Sequence, residues 1–396
     1  MTLGAEEIAR DESFWREIQQ SFSVSRNTTC LHNAAVCPSP RIVTEAVTQY
    51  IWEQEKIPPL IYSMFEPRLE PVRQGVAKLF GCDAEELAIM RNATESMCTV
   101  LLGVPLKAGD EILTTTHEYW AMLDALEQRR LREGIVVKKI KVPTPPETMD
   151  ELAQAFERAI TPRTKLILVS HMVSVTGQIF PIRRICEIAH QRGIEVAVDG
   201  AQSFGHFDFK VVDLGCDYFG ASLHKWLMAP KVTGMLFVRR DKIAKLWSLV
   251  PSPVSRRDNI RKFEMVGGRS SQHLAIAEAL AFHNGIGAQR KEARLRYLTS
   301  YWVERLSKLP NIRFHTSFKT GMSCAMATVE IVGIKSGELT DYLMKRHQIQ
   351  VYDVAKRISE FQGIRVSPSL HTTLQELDKF CAVMEQVAKN GLPKST

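Results

Sequence analysis

The chain has 396 residues, 45% apolar and 24% charged, with 51 basic against 44 acidic side chains and a net charge of +7. The length suits a large core plus a smaller one, in a protein of ordinary globular composition. The surplus charge forms no long basic block, zinc-finger spacing or RNA-binding aromatic motif, which argues against nucleic acid, and no segment approaches 18 uninterrupted apolar residues, which argues against a membrane span.

A mild positive field of this kind favours anionic small molecules. None of the eight cysteines forms CxxC. With a charged N-terminus that lacks an apolar signal core, this predicts reduced thiols and a cytoplasmic protein. No metal-ligand set is read from the chain.

Residues 1 to 30 read as a short helical arm and a polar turn, and CLHNAAVCPSP (30 to 40) as a loop. RIVTEAVTQYIWEQ begins a helix, and Pro58 and Pro59 interrupt the stretch after it. EPRLEPVRQGVAKLFGC (66 to 82) carries apolar residues at helical spacing. ELAIMRNATESMCTVLLGVPL (86 to 106) reads as strand, polar turn and helix, with Asn92 or Thr94 as cap.

From there strands and helices alternate. DEILTTTHEY and TKLILVSHM each read as a strand running into a loop, and IVVKKIKV and IEVAVD as strands. WAMLDALEQRRLREG, MDELAQAFERAI and PIRRICEIAHQRG read as helices. CDYFGAS and TGMLFVRR add short strands. This alternation predicts a mostly parallel α/β sheet covered by helices, with ligands at the carboxyl ends of its strands. Asn92, Tyr119, Ser174 and Asp199 fall just beyond predicted strands. Residues 241 to 266 are polar and irregular, an active-site or interface loop. SQHLAIAEALAFHNGIG reads as one helix, with a long amphipathic helix following around 288 to 308. CAMATVEIVG, a helix from near Ser336, IQVYDVA and IRVSP describe a smaller α/β domain. The division expected is an N-terminal arm over 1–30, a large domain over 31–289 and a small domain over 290–396, to which N-terminal segments can be joined.

One lysine is out of place. In YFGASLHKWLMAP (218 to 230), Lys225 is surrounded by apolar and small residues. Either its stem snorkels beside a core strand, or its desolvated amine is a Schiff-base nucleophile. Asp199, at the end of a strand, either caps a turn or pairs with a cation such as a protonated pyridine nitrogen. Spacing alone leaves both pairs of readings open.

The combination of RNATES, THEY, SHMVSVTG, VDGAQ, SLHKW and RVSP carries a family resemblance. The chain resembles the class V aminotransferase branch of fold-type I pyridoxal phosphate enzymes from LHNAAV at 31 to the segment ending at 380. Within that branch it looks most like isopenicillin N epimerase-like proteins, with cysteine desulfurases and cysteine lyases as more distant relatives. The resemblance implies pyridoxal 5'-phosphate as cofactor, held covalently by Lys225, with Asp199 on its ring nitrogen and Gln202 at its phenolic oxygen. It implies Ala93, Thr94, Ser222 and His224 around the phosphate, which suits a helix N-terminus. Tyr119 takes the place of the residue stacked on the ring, and Ser174 that of a residue near the cofactor oxygen. Arg365 takes the place of the arginine that binds the substrate α-carboxylate; read alone, it is a surface salt-bridge arginine.

The pattern departs in two places. HQIQVYDVAKRISEFQG (347 to 363) contains no cysteine, where a desulfurase would supply one to take up sulfur. In GGRSSQHLA, Gly267 and Gly268 stand where relatives have a glycine-threonine turn that reaches the phosphate of the neighbouring subunit. Gly268 through its backbone, or Arg269, then meets the phosphate; alternatively Arg269 meets an acidic substrate group or is an interface or solvent arginine. Either binding role implies a homodimer with its active sites near the interface. The activity implied is chemistry at Cα of an amino-acid substrate: epimerisation, with C–S or other β/γ-elimination and transamination as rivals. A noncatalytic regulatory or structural protein that keeps the cofactor pocket is the alternative of a different class.

Overall fold

The computed structural model describes residues 4–250, 257–264 and 270–393. In chain order the strands are β1 (Thr29–Cys30), β2 (Leu87–Met90), β3 (Glu111–Thr115), β4 (Val136–Ile140), β5 (Thr164–Ser170), β6 (Glu195–Asp199) and β7 (Tyr218–Ser222). There follow β8 (Gly234–Val238), β9 (Ile312–Phe314), β10 (Ala327–Ile331), β11 (Ile349–Gln350), β12 (Tyr352–Asp353) and β13 (Ile364–Val366).

Seven strands form the main sheet in the order β2-β8-β7-β6-β5-β3-β4. The pairs from β7 through β6, β5 and β3 to β4 are parallel, while β8 runs antiparallel between β2 and β7. The β3, β6 and β7 strands are almost wholly buried, as a sheet covered on both faces requires. Because these strands run the same way, Thr115, Ser170, Asp199 and Ser222 finish on one edge; Ser170 lies beside Asp199 in register.

A second sheet, β12-β13-β10-β9, is antiparallel throughout. Helices Ala288–Leu306, Ser336–His347 and Leu374–Asn390 bury Trp302, Leu343 and Phe380 in its core. The N-terminal segment runs along this sheet: β1 pairs with β11, His32 bridges to Ser367, and Leu31 sits in the same core.

Two local expectations are corrected. The helix expected from 66 begins at Ile61 and runs to Phe80 through Pro67 and Pro71. Both prolines lie on its exposed face, where water takes the carbonyls that they leave unpaired. The helix expected over 271 to 287 is two, Ser271–Leu274 and Ile276–Ile286, divided at Ala275.

Candidate active site

The sheet edge opens into a cavity of about 350 Å³. Ala93, Thr94, Tyr119, Ser174, Asp199, Gln202, Ser222, His224, Lys225 and Arg365 all line it. Residues more than 270 positions apart in sequence thus meet at one place. Gly268 and Arg269 lie outside the described residues.

Asp199 closes β6 at 4% exposure, and its Oδ1 accepts the Ala201 N–H at 2.8 Å. The turn that places it depends on Gly200, where a Cβ would stand 1.9 Å from the Phe219 ring. Burial raises the Asp199 pKa, against the Ala201 hydrogen bond and the Lys225 charge. Gln202 is held from both ends of its amide: Nε2 donates to the Ala34 carbonyl and Oε1 accepts the Trp226 indole N–H, each at 2.9 Å.

Lys225 follows β7 in a tight turn. Its carbonyl accepts the N–H of Met228, a non-glycine residue at φ 62°. Trp226 is fully buried and stacks on His206 with centroids 3.7 Å apart, which anchors the turn. The Lys225 Nζ lies 5.9 Å from the Tyr119 ring centroid. Burial pulls its amine down to about 8; Asp199 opposes this and Arg365 adds to it. Low basicity does not by itself single out this lysine. Lys291 is also pulled down to about 8 by burial, but its Nζ donates to the Trp226 carbonyl away from the cavity. Among the described residues, Lys225 is the lysine that combines lowered basicity with access to the cavity.

The phosphate-type cradle is the start of helix Ala93–Gly103. Asn92 caps it through Oδ1, which accepts the Glu95 N–H at 2.8 Å, and the Ala93 N–H donates to Ser222 Oγ at 2.9 Å. Strand β8 passes close beneath, since a Cβ at Gly234 would stand 2.6 Å from the Asn92 backbone. His224 directs Nδ1 at the Thr233 carbonyl, 3.0 Å away, and burial followed by the Lys225 charge lowers its pKa to about 4. A neutral imidazole, a hydroxyl and a helix N-terminus form a suitable donor set for a phosphate.

Arg365 is not a surface arginine. It is 5% exposed and packs 4.7 Å from the Tyr352 ring centroid. Its guanidinium donates to the Ser174 carbonyl and lies 3.2 Å from His32 Nδ1, while its buried Nε has no partner among the described residues. Burial brings its pKa down to about 10. A buried guanidinium with no carboxylate partner among the described residues, on a cavity wall, is prepared for an incoming anion. Ser174 contributes its carbonyl to hold this arginine, and its residue also borders the cavity.

Sequence reasoning missed several cavity residues. Glu118, 6% exposed, accepts from Ser170 Oγ at 2.6 Å and from the Tyr119 N–H at 2.8 Å, and its buried Oε2 has no partner among the described residues. Burial and the Asp199 charge push this carboxyl up to about 7. The signal was its place beside Tyr119 at a strand end. His32, Tyr352 and Arg357 also line the cavity, carried there by the N-terminal segment and the small domain.

The residues fit pyridoxal phosphate. Asp199 is a buried carboxylate whose one hydrogen bond among the described residues comes from a backbone N–H, which leaves it able to hold a protonated ring nitrogen. Lys225 would supply an amine of lowered basicity and the Ala93 helix end an anion site.

Comparison with known proteins agrees with this reading. The family "Aminotransferase class-V" matches residues 30–380. The chain is 30% identical to an isopenicillin N epimerase of Amycolatopsis lactamdurans, over 95% of this chain and 99% of that protein. It is 25% identical to a probable cysteine desulfurase of Mycobacterium leprae, over 91% of this chain and 62% of that one. Its fold is similar to that of a cysteine desulfurase from Thermococcus onnurineus, with TM-score 0.81 at 22% identity over 95% and 98% of the two chains. The cystine C-S lyase C-DES gives TM-score 0.80 at 20% identity over 93% and 99%.

Proposed function

Since this chain belongs to the class V aminotransferase family of fold-type I pyridoxal phosphate enzymes, we propose that it catalyses epimerisation at Cα of an amino-acid substrate. The observation that carries the reading is one cavity in which a lysine of lowered basicity, a buried aspartate and a buried arginine with no acid partner among the described residues stand together. Similarity over nearly the full length to an isopenicillin N epimerase supports the choice among reactions.

Pyridoxal phosphate, when bound, supplies an electron-poor ring that takes up the charge left at Cα. Arg365 receives the substrate α-carboxylate in a charge-assisted, two-pronged contact. Lys225 would hold the cofactor covalently and serve as the base for the Cα proton; an amine near 8 keeps about a tenth of its population neutral at pH 7 and enough basicity to accept a proton. Asp199 would keep the ring nitrogen protonated, Tyr119 would cover the ring, and Gln202 and Ser174 would stand toward the phenolic oxygen. Ala93, Thr94, Ser222 and His224 would hold the phosphate, and the resemblance assigns Gly268 of a second subunit to it as well, which implies a homodimer.

Elimination of a β- or γ-substituent is the second reading. Residues 347–363 hold no cysteine to receive sulfur, and buried Cys324 has its thiol pushed up to about 12 by burial. These features favour release of a leaving group over sulfur transfer to the protein. The cofactor-loaded protein should be given an amino-acid panel in deuterated water and read by mass spectrometry and chiral separation. Cα deuteration with inversion supports epimerisation. Keto acid, ammonia and a freed side-chain fragment would replace it with elimination, whereas absence of any Cα exchange would favour a noncatalytic role.

A further inference from the structure

Trp226 follows Lys225 directly, is fully buried and takes no part in the chemistry described above. The chain buries two other tryptophans as completely, Trp15 and Trp302. Trp15 donates its indole N–H to the Ile8 carbonyl at 2.8 Å, and the Trp302 N–H has no partner among the described residues. The Trp226 N–H goes instead to Oε1 of Gln202, a side chain on the cavity wall.

Two neighbours fix which end of that amide is which. An indole N–H can only donate, so the atom it meets is the amide oxygen; a backbone carbonyl can only accept, so the atom that meets Ala34 at 2.9 Å is the amide nitrogen. The amide is therefore not free to turn over. One of its two N–H groups serves Ala34, and no acceptor among the described residues takes the other. The main chain of Gln202 is held as well. Its carbonyl lies 2.7 Å from His206 Nδ1, which must donate, and His206 Nε2 accepts the Ala325 N–H at 2.9 Å. His206 and Trp226 are stacked, their rings 17° from parallel, and Lys291 holds the Trp226 carbonyl. Two packed rings thus brace Gln202 at its backbone and at its side chain.

We infer that Trp226 is a positioning residue for the cofactor: its indole N–H takes the Gln202 amide oxygen and so keeps an amide N–H for the phenolic oxygen of pyridoxal phosphate. The inference rests on the reading of Gln202 as the group at that oxygen. Without the indole donor the amide can turn over and present its own oxygen to the cofactor, which replaces an attraction by a repulsion. A donor at the phenolic oxygen favours the ionised form and lowers the pH at which the bound cofactor titrates.

The test is a pH titration of the cofactor-loaded protein, read as the midpoint of the change in visible absorbance, on wild type, Gln202→Ala, Trp226→Phe and the double variant. Trp226→Phe keeps a ring against His206 and removes the donor. Gln202→Ala should raise the midpoint by about one pH unit, and Trp226→Phe by a similar amount. The double variant should go no further than Gln202→Ala, because one residue acts through the other. Replacing the Trp226 indole by benzothiophene, which keeps the shape and puts sulfur where the N–H was, should give the same rise, and it decides the matter if Trp226→Phe does not fold. A midpoint unmoved by either change of ring, or two rises that simply add, would overturn the Trp226 assignment alone, since a tryptophan that only packs has no donor effect to lose. If Gln202→Ala itself leaves the midpoint unmoved, the reading of Gln202 beneath the inference falls.

Discussion

Replacing Arg365 with methionine should remove substrate binding and yet leave the cofactor-free protein more stable. Methionine keeps most of the apolar stem and deletes the charge. Burial brings the guanidinium down to about 10, two to three powers of ten more acidic than usual, which corresponds to about 3 kcal/mol against its charged form. The sign follows from the direction of the shift. The folded state binds this proton more weakly than the unfolded chain, so the penalty is fully present below about pH 10 and fades only above it. Hydrogen bonds to the Ser174 carbonyl and to His32 return about 1 kcal/mol each. The net expectation is a gain of about 1 kcal/mol at neutral pH, read from chemical denaturation of the cofactor-free protein. Arg73 is the contrasting case. It is 1% exposed, is paired with Glu264 and donates to the Leu87 carbonyl at 2.7 Å. Arg73→Met should therefore cost about 3–5 kcal/mol. A comparable loss for Arg365→Met would refute the view that Arg365 is an uncompensated cation held for a ligand.

Cofactor attachment should follow the neutral fraction of Lys225: at pH 7 an amine near 8 is about 300-fold richer in that form than an ordinary lysine at 10.5. The attachment rate, followed by visible absorbance, should rise with pH and level off above about 8; a rate still climbing at pH 10 contradicts the assignment. Glu118 has its pKa raised from 4.5 to about 7, so the wild type should lose stability as pH rises through that interval, because the unfolded chain ionises first. Glu118→Gln should lack that fall in denaturation midpoints, and an identical pH profile would count against a neutral buried carboxyl. Gly234→Ala drives a methyl to within 2.6 Å of the Asn92 backbone, so it should weaken binding of pyridoxal phosphate more than of pyridoxal. Equal weakening of the two in equilibrium titrations would deny that this turn holds the phosphate.

The large sheet was legible because its strands are short apolar runs separated by amphipathic helices, and its site residues sit at strand ends within contiguous strings. Asp199 and Lys225 are examples: Asp199 closes β6 and Lys225 stands three residues beyond the end of β7, so local sequence carried their placement. Arg365 was legible only through the resemblance, because the feature that separates it from a surface arginine, burial without an acid, arises from Tyr352 and the Ser174 carbonyl. His32 and Tyr352 meet as stacked rings 5.1 Å apart, across 320 residues of chain, and no local pattern announces that contact. Glu118 had no local signal beyond its place beside Tyr119, because the groups that act on it, Ser170 and Asp199, come from two other strands. The helix through Pro67 and Pro71 was legible from its apolar spacing in spite of both prolines, whereas its first turn, from Ile61, was not, because Pro58 and Pro59 signal an interruption immediately before it.

The most direct test of the account is to load the protein with pyridoxal phosphate, reduce it with borohydride, digest it and locate the added mass. The mass should fall on the peptide that contains Lys225, with Lys291 unmodified despite its similar basicity, and it should vanish from that position in Lys225→Ala. Modification of Lys291 in its place, or a protein that takes up no cofactor, would contradict the account.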